Sequence, residues 1–309
     1  MVLYSMMNTD LYIKTPLIES LPLSKIFGGR VFLKLENTQP AGSFKIRGIG
    51  KLCTEAVKKG INRFISSSGG NAGFASAFAG YYLGIKTTVF VPETTGTDVI
   101  KKIEDLNAEV IVSGKVWDET HPEALAFAEK TGGLYISPFD HPLIWEGHAS
   151  MIDEMAGEME KPDAVVLSVG GGGLLCGVLQ GMHNNGWEDV PVYAVETEGT
   201  ASFAASQKAG RLITLEKIEG IATSLGAKTV AEKTLEWDKI HTVKSLIVSD
   251  IQALSACRRF ADDHRYLVEP ACGASLSAVY ENLISSGNVR SVVVVVCGGV
   301  GISLGKFNK

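Results

Sequence analysis

Ala164-Val165-Val166-Leu167-Ser168-Val169-Gly170-Gly171-Gly172-Gly173-Leu174-Leu175-Cys176-Gly177 passes from an apolar run through four glycines into a second apolar run. Six residues dominated by Val, Leu and Ala, stopped by glycine, have the length and composition of a buried strand. Four consecutive glycines lose much conformational entropy on folding, a cost justified where a backbone must come close to something. Leu174 to Asn184 then reads as a helix. A glycine turn feeding a helix N-terminus offers free N–H groups and a favourable dipole to an anion such as phosphate. Strand, turn and helix in that order predict an α/β fold.

The same alternation extends outward. Phe64–Ser68, Thr87–Val91, Glu109–Val112 and Leu134–Ile136 read as strands. Ala72–Leu83, Thr97–Asn107 (with Thr97 as N-cap) and Asp118–Lys130 read as helices between them. Beyond a helical stretch at Trp145–Met159, a second series follows. It comprises the strand at Ala164–Val169, a strand at Val192–Glu196, a helix at Ala201–Ala209, a helix at Ile251–Asp263 capped by Asp250, a helix opened by Pro270 and running to about Leu283, and a strand at Ser291–Val296. Residues 212–239 carry no clear period. Strands joined through helices imply parallel pairing, so two α/β lobes are expected, dividing near residues 138–145, with a binding crevice between them.

Composition narrows the function. The net charge of -5 provides no basic footprint, so nucleic acid is not an expected partner. Cys53, Cys176, Cys257, Cys272 and Cys297 are scattered with no CxxC pair, the usage of a reducing compartment, and the six histidines lack metal-binding spacing. The longest purely apolar run, Val292–Cys297, is too short to span a bilayer. Met1–Lys14 has no charged segment leading into an apolar core, so no signal peptide is expected and the location expected is cytoplasmic.

Three further features surround the glycine turn with chemistry. Lys45, in Ala41-Gly42-Ser43-Phe44-Lys45-Ile46-Arg47, is framed by apolar neighbours. Burial and nearby cations lower a lysine's pKa and free the neutral amine that attacks carbonyls to form Schiff bases. Ser68-Gly69-Gly70-Asn71 is a second glycine turn between strand and helix, suited to a substrate carboxylate, with the Asn71 amide able to donate to a phenolic oxygen. Cys297 ends the valine strand, where α/β sites collect, as a weak, neutral partner for a ring nitrogen. A lysine, two anion loops and that cysteine together point to pyridoxal phosphate (PLP). The rival, a nicotinamide-binding enzyme, draws on Glu196 at the end of the next strand. Its GxGxxG frame fails at Leu175 or Cys176, and it leaves Lys45 without a role.

At these residues the chain resembles the serine/threonine dehydratases among the fold-type II PLP enzymes. The similarity runs from Lys14-Thr15-Pro16 to Ile302-Ser303-Leu304. It includes the stretches Gly42–Gly50, Pro142–Ser150, Ser168–Gly177 and Val268-Glu269-Pro270-Ala271-Cys272-Gly273-Ala274. The resemblance implies two open, twisted, mostly parallel sheet domains: a large PLP-binding domain from residues 1–38 and 139–309, and a small one from 39–138. It implies that Lys45 carries the cofactor and serves as base, and that Phe44 packs on the ring. Asn71 bonds the ring hydroxyl, Gly170, Gly171, Gly172, Gly173 and Leu174 hold the phosphate, and Cys297 faces the pyridine nitrogen. Ser68, Gly69, Gly70 and Asn71 take the substrate carboxylate. A potassium ion is implied at Glu196, with carbonyls of Gly170, Thr200, Leu225 and Ala227; bottom-up, the alternative is that Glu196 caps the next turn. A homodimer is implied as well.

The activity so implied is β-elimination of serine to pyruvate, or threonine to 2-oxobutanoate, with release of ammonia. In serine racemases a serine precedes the Gly-Asn pair as a second base; Gly69 here has no proton to give. Nor is there room after Gly299 for the regulatory tail of a biosynthetic threonine deaminase. The mammalian-type liver dehydratase that this chain resembles carries alanine where this chain has Gly69, so extra space beside the carboxylate loop is expected.

Overall fold

The computed structural model describes residues 10–284 and 289–307; the start of the segment read for a signal peptide, residues 1–9, lies outside them. The strands are β1 (Leu17–Glu19), β2 (Arg30–Lys34), β3 (Arg63–Ser66), β4 (Lys86–Val91), β5 (Glu109–Val112), β6 (Leu134–Tyr135), β7 (Ala164–Ser168), β8 (Val192–Thr197), β9 (Val243–Val248) and β10 (Ser291–Val295). They form a six-stranded sheet in the order β1-β2-β10-β7-β8-β9 and a four-stranded sheet in the order β5-β4-β3-β6. All pairings are parallel except β1 with β2.

Burial explains which strands are central. Every residue of β7 is buried, and β10, with four valines at 0 % exposure, is sandwiched between β2 and β7. A strand covered on both faces has no polar side to alternate with, hence the continuous valine run. By contrast β9, at the sheet edge, exposes Ile247 and alternates unevenly.

The helices that matter to the site are α1 (Leu21–Phe27), α2 (Lys45–Lys58), α3 (Asn71–Leu83), α4 (Thr97–Glu104), α5 (Trp117–Thr131), α6 (Pro142–Ala156), α7 (Gly173–Asn184), α8 (Ser202–Ala209), α9 (Lys233–Asp238), α10 (Asp250–His264) and α11 (Pro270–Tyr280). Two expected caps are corrected. Gly96 is the N-cap of α4, with Thr97 already inside the helix. Ser249, not Asp250, caps α10, exchanging hydrogen bonds with Gln252 in a capping box that satisfies two orphan donors. Helix α6 also starts earlier than expected, because Pro142 occupies its first turn and the His141 ring accepts from Leu143 N–H. Helix α4 stops at Glu104, and Asn107 takes a left-handed φ of 58°.

One buried ion network anchors the start of α2. Arg47 is fully buried and bonds Glu36 (Nε to Oε2, 2.7 Å) and Glu154 (Nη1 to Oε1, 2.7 Å), while Lys34 bonds Glu154 at 2.6 Å. Two cations balance two anions, and Thr15 donates to Glu36 at 2.6 Å. Such a network adds little net stability, but a single missing partner strands a buried charge, so it fixes the placement of β2, α2 and α6. Lys45 stands two residues before Arg47 and inherits that placement.

Candidate active site

The carboxyl ends of β3, β7 and β10 all open toward one crevice, and the glycine turns stand there. Residues 42–44 run alongside residues 297–299: Phe44 N–H donates to the Cys297 carbonyl at 3.2 Å, Gly299 N–H donates to the Gly42 carbonyl at 3.0 Å, and Ser43 bridges Gly298. This pairing brings the first residue of α2, Lys45, beside the end of the valine strand.

Lys45 Nζ donates to the Pro138 carbonyl at 2.5 Å and lies 5.1 Å from the Phe44 ring centre. Burial lowers its pKa from 10.5 to about 8, while Cys297 and Glu269 pull the other way. Burial is the cause of the depression. Phe44 is held edge-on against His148, centroids 4.9 Å apart. The His148 ring nitrogens and the Ser43 hydroxyl are buried without hydrogen-bond partners among the described residues.

The four-glycine turn is as tight as its composition demands. A Cβ on Gly171 would fall 2.2 Å from the Phe139 ring, and one on Gly173 2.6 Å from the Phe139 carbonyl. Gly172 adopts a φ of +88°, and a Cβ there would meet the Thr234 methyl at 2.2 Å. No side chain caps the α7 N-terminus that follows. A backbone cradle with an uncapped helix end is what a phosphate monoester requires.

Asn71, the first residue of α3, and Gly70, its N-cap, also face this crevice. The Asn71 amide donates to Glu269 Oε1 at 2.6 Å, and its oxygen accepts from Val300 N–H at 2.8 Å. Burial raises Glu269 to about 7, against hydrogen bonds from Ser224 and Asn71 and the charge of Lys45. A hydrogen bond with Cys272, then burial, push the Cys297 thiol well above its ordinary range, so it is a neutral partner and no thiolate nucleophile.

These observations carry the family. The sequence matches the family described as pyridoxal-phosphate dependent enzyme over residues 9–298. The chain belongs to the pyridoxal-phosphate-dependent enzymes. It is 51 % identical over 298 residues to a rat protein named serine dehydratase-like, covering 94 % of this chain and 91 % of the relative. It is 48 % identical over 312 residues to the human L-serine dehydratase/L-threonine deaminase, covering 98 % and 95 %. The crystal structure of a fungal L-serine ammonia-lyase from Rhizomucor miehei superposes with a TM-score of 0.93 at 39 % identity, covering 96 % of this chain and 97 % of that one.

As a PLP-dependent enzyme, the chain has the donors the cofactor needs: an amine of depressed pKa, an uncapped phosphate cradle and the orphaned Ser43 hydroxyl in the same crevice. Lys45, Phe44, Asn71, Cys297 and the loop Gly170–Gly173 come together there. The cation set does not assemble so plainly. Glu196 is fully buried and caps α8, accepting from Phe203 and Ala204 N–H at 2.8 Å each. Thr200 bonds Thr197, and the Leu225 carbonyl accepts from Ala227 N–H at 2.8 Å. Within that set, Gly170 packs against Leu225, and Ala227 joins them through its bond to the Leu225 carbonyl. The space expected beside Gly69 is also filled: a Cβ there would lie 2.5 Å from Thr95 Oγ1.

Glu269, Ser224, Thr95 and Phe139 escaped the sequence reading. Glu269 stands in the quoted motif Val268–Ala274, where Pro270 signalled a helix start and drew attention away from the acid preceding it. The others lie in turns whose partners are remote in sequence.

Proposed function

We propose that the chain is an ammonia-lyase acting on L-serine and L-threonine, converting them to pyruvate or 2-oxobutanoate with release of ammonia. The observation that carries this reading is the buried Lys45 with its pKa near 8 at the junction of the glycine turns. At neutral pH roughly one Lys45 in ten is then an unprotonated amine, against fewer than about one in a thousand for an ordinary lysine. PLP, when bound, supplies an electron sink for the charge that develops on the substrate's α-carbon.

The protein supplies placement and protons. Lys45 binds the cofactor and removes the α-proton. The turn Ser68–Asn71 presents backbone N–H groups at the start of α3 to the substrate carboxylate. Gly170–Gly173 and Leu174 would hold the phosphate, and Phe44 would pack on the ring. Asn71 keeps one amide hydrogen for the ring oxygen. Cys297, a neutral thiol, would give the ring nitrogen no charged partner.

Lys45→Ala tests the reading. The visible absorption of the bound cofactor and pyruvate formation from serine should both disappear, with the far-ultraviolet circular dichroism unchanged. Undiminished turnover would remove Lys45 from the reaction.

The assignment of residues 1–38 and 139–309 to one domain and 39–138 to another, a homodimeric state, a cytoplasmic location and a role in amino-acid catabolism feeding gluconeogenesis belong to the same proposal. So does potassium. Burial holds Glu196 at about 7 even with two N–H donors, so a nearby cation would relieve the cost of its charge. Equal thermal stability in potassium and in tetramethylammonium at fixed ionic strength would remove the ion.

A further inference from the structure

Asn71 opens a helix beside the four-stranded sheet, yet both ends of its side-chain amide are held by residues beyond the six-stranded one. The Val300 N–H donates to its oxygen at 2.8 Å, and its nitrogen donates to Glu269 Oε1 at 2.6 Å. A backbone N–H can only donate, so the amide's orientation is fixed and Glu269 must be the acceptor at the other end. The second amide hydrogen meets no acceptor among the described residues. Glu269 is the N-cap residue of α11, is buried, and is also bonded by Ser224. Ser224 belongs to the turn against which Gly170 packs, its carbonyl 3.2 Å from a Cβ built on that glycine. Gly299, with a φ of +150°, passes so close that a Cβ there would lie 2.6 Å from the Glu269 carboxyl. Lys102 of α4 holds the next peptide group, donating to the Val300 carbonyl at 2.8 Å.

We infer that Glu269 is a positioning residue: its carboxyl clamps Asn71 across the crevice and so sets the direction in which the free Asn71 amide hydrogen is offered to the cofactor. The inference rests on the proposed roles of Asn71 and Lys45. It accounts for a buried acid that the elimination itself does not use. It also gives Gly299 a reason, since any side chain there would expel the carboxyl from between Asn71 and Ser224. The titratable groups facing Glu269 are Lys45 and the thiols of Cys257 and Cys297. None of them replaces it as an acceptor for Asn71.

Gln at position 269 keeps an oxygen for Asn71, whereas Ala removes it. Hydrogen exchange of the Val300 amide, measured on the purified full chain without PLP, reads the clamp directly. PLP affinity, measured by titration, reads its consequence. Loss of a hydrogen bond to an acidic group should speed Val300 exchange and weaken PLP binding roughly tenfold or more in Glu269→Ala. Glu269→Gln should stay within about threefold of the unaltered chain on both. Unchanged Val300 exchange in Glu269→Ala would overturn the inference. So would a Gln variant as impaired as the Ala one, because the ionisable proton and not the placement would then be at work. If Glu269→Ala does not fold, Glu269→Asp, one methylene too short to reach Asn71, should show the same acceleration, and its absence is equally decisive. Cofactor absorption in Lys45→Ala separates the two levels: persistence there sinks the site, whereas failure at Glu269 alone sinks only the clamp.

Discussion

Two turns in this molecule share one plan, a parallel strand running through glycines into a helix N-terminus, and they are built in opposite ways. At Gly170–Gly173 the walls decide everything. Phe139, Thr234 and Leu225 crowd the backbone until no Cβ fits, and no side chain of the turn reaches inward. At Ser68–Asn71 the backbone has a little more latitude. Gly70 would accept a Cβ with nothing nearer than the Ser68 hydroxyl at 3.8 Å, and Asn71 reaches across to Glu269 and Val300. The first turn is a rigid cradle, and the second is an adjustable clasp. A cofactor that stays needs the former, while a substrate that enters and leaves needs the latter.

Gly172→Ala should break the cradle and produce the largest effect. It forces a left-handed φ on alanine and drives a methyl into Thr234, whose hydroxyl is pinned to the Ala231 carbonyl at 2.7 Å. PLP retention should fall on the order of 100-fold or more, as clash and strain add. Ser68→Ala in the clasp should change it by less than about threefold, since the N–H groups remain. Comparable losses in both variants, by equilibrium titration, would abolish the distinction.

The clasp carries a pH dependence that the cradle lacks. Burial raises Glu269 from 4.5 to about 7, so between those values the native chain holds a proton that the unfolded chain has released. Its contribution to stability is complete below pH 4.5 and is lost as pH rises through 7, on the order of 3 kcal/mol in all. Lys45, lowered from 10.5 to about 8, acts in a separate window: its penalty is absent above 10.5 and grows as pH falls through 8. Glu196, also raised to about 7 by burial, shares the lower window. Melting temperatures of the PLP-free chain should therefore decline from pH 4.5 to 7, and Glu269→Gln should flatten part of that decline. An identical pH profile in the variant would mean that Glu269 is ionised in the native state.

Both glycine turns were readable from sequence, but what holds Asn71 in the clasp was not, and the reason lies in where each turn keeps its partners. Gly170–Gly173 announces itself because steric exclusion is written into the residues excluded. The valine strand announces β10 for the same reason, and Lys45 is marked by its apolar flanks. Asn71 reveals nothing of Glu269, 198 residues away, whose bond depends on two chain segments meeting in the fold. The short caps were misplaced by one residue, at Thr97 and Asp250, because Gly96 and Ser249 satisfy the helix ends through backbone geometry and a capping box. Glu196 was the subtler case. Its position near the end of β8 left a cation and a cap both open, and each of its oxygens accepts one N–H from the first turn of α8.

Gly69 offers the finest test of how adjustable the clasp is. From sequence its missing methyl suggested spare room, which the methyl of Gly69→Ala would simply fill. The structure reverses this expectation, because Thr95 already fills that room: a methyl on residue 69 would stand 2.5 Å from its hydroxyl and 2.8 Å from its methyl carbon. Backbone strain is not the obstacle, since Gly69 does not have a positive φ. The obstacle is one threonine side chain on a half-buried loop, which can move at modest cost. Overpacking of this kind costs about 1–3 kcal/mol, so kcat/KM for serine should fall roughly tenfold, carried mainly by KM. Removing the obstacle should remove the effect: in a Thr95→Ala background, Gly69→Ala should be close to neutral. A tenfold loss that persists without Thr95 would place the cost in the backbone of the turn, and the clasp would then be as rigid as the cradle.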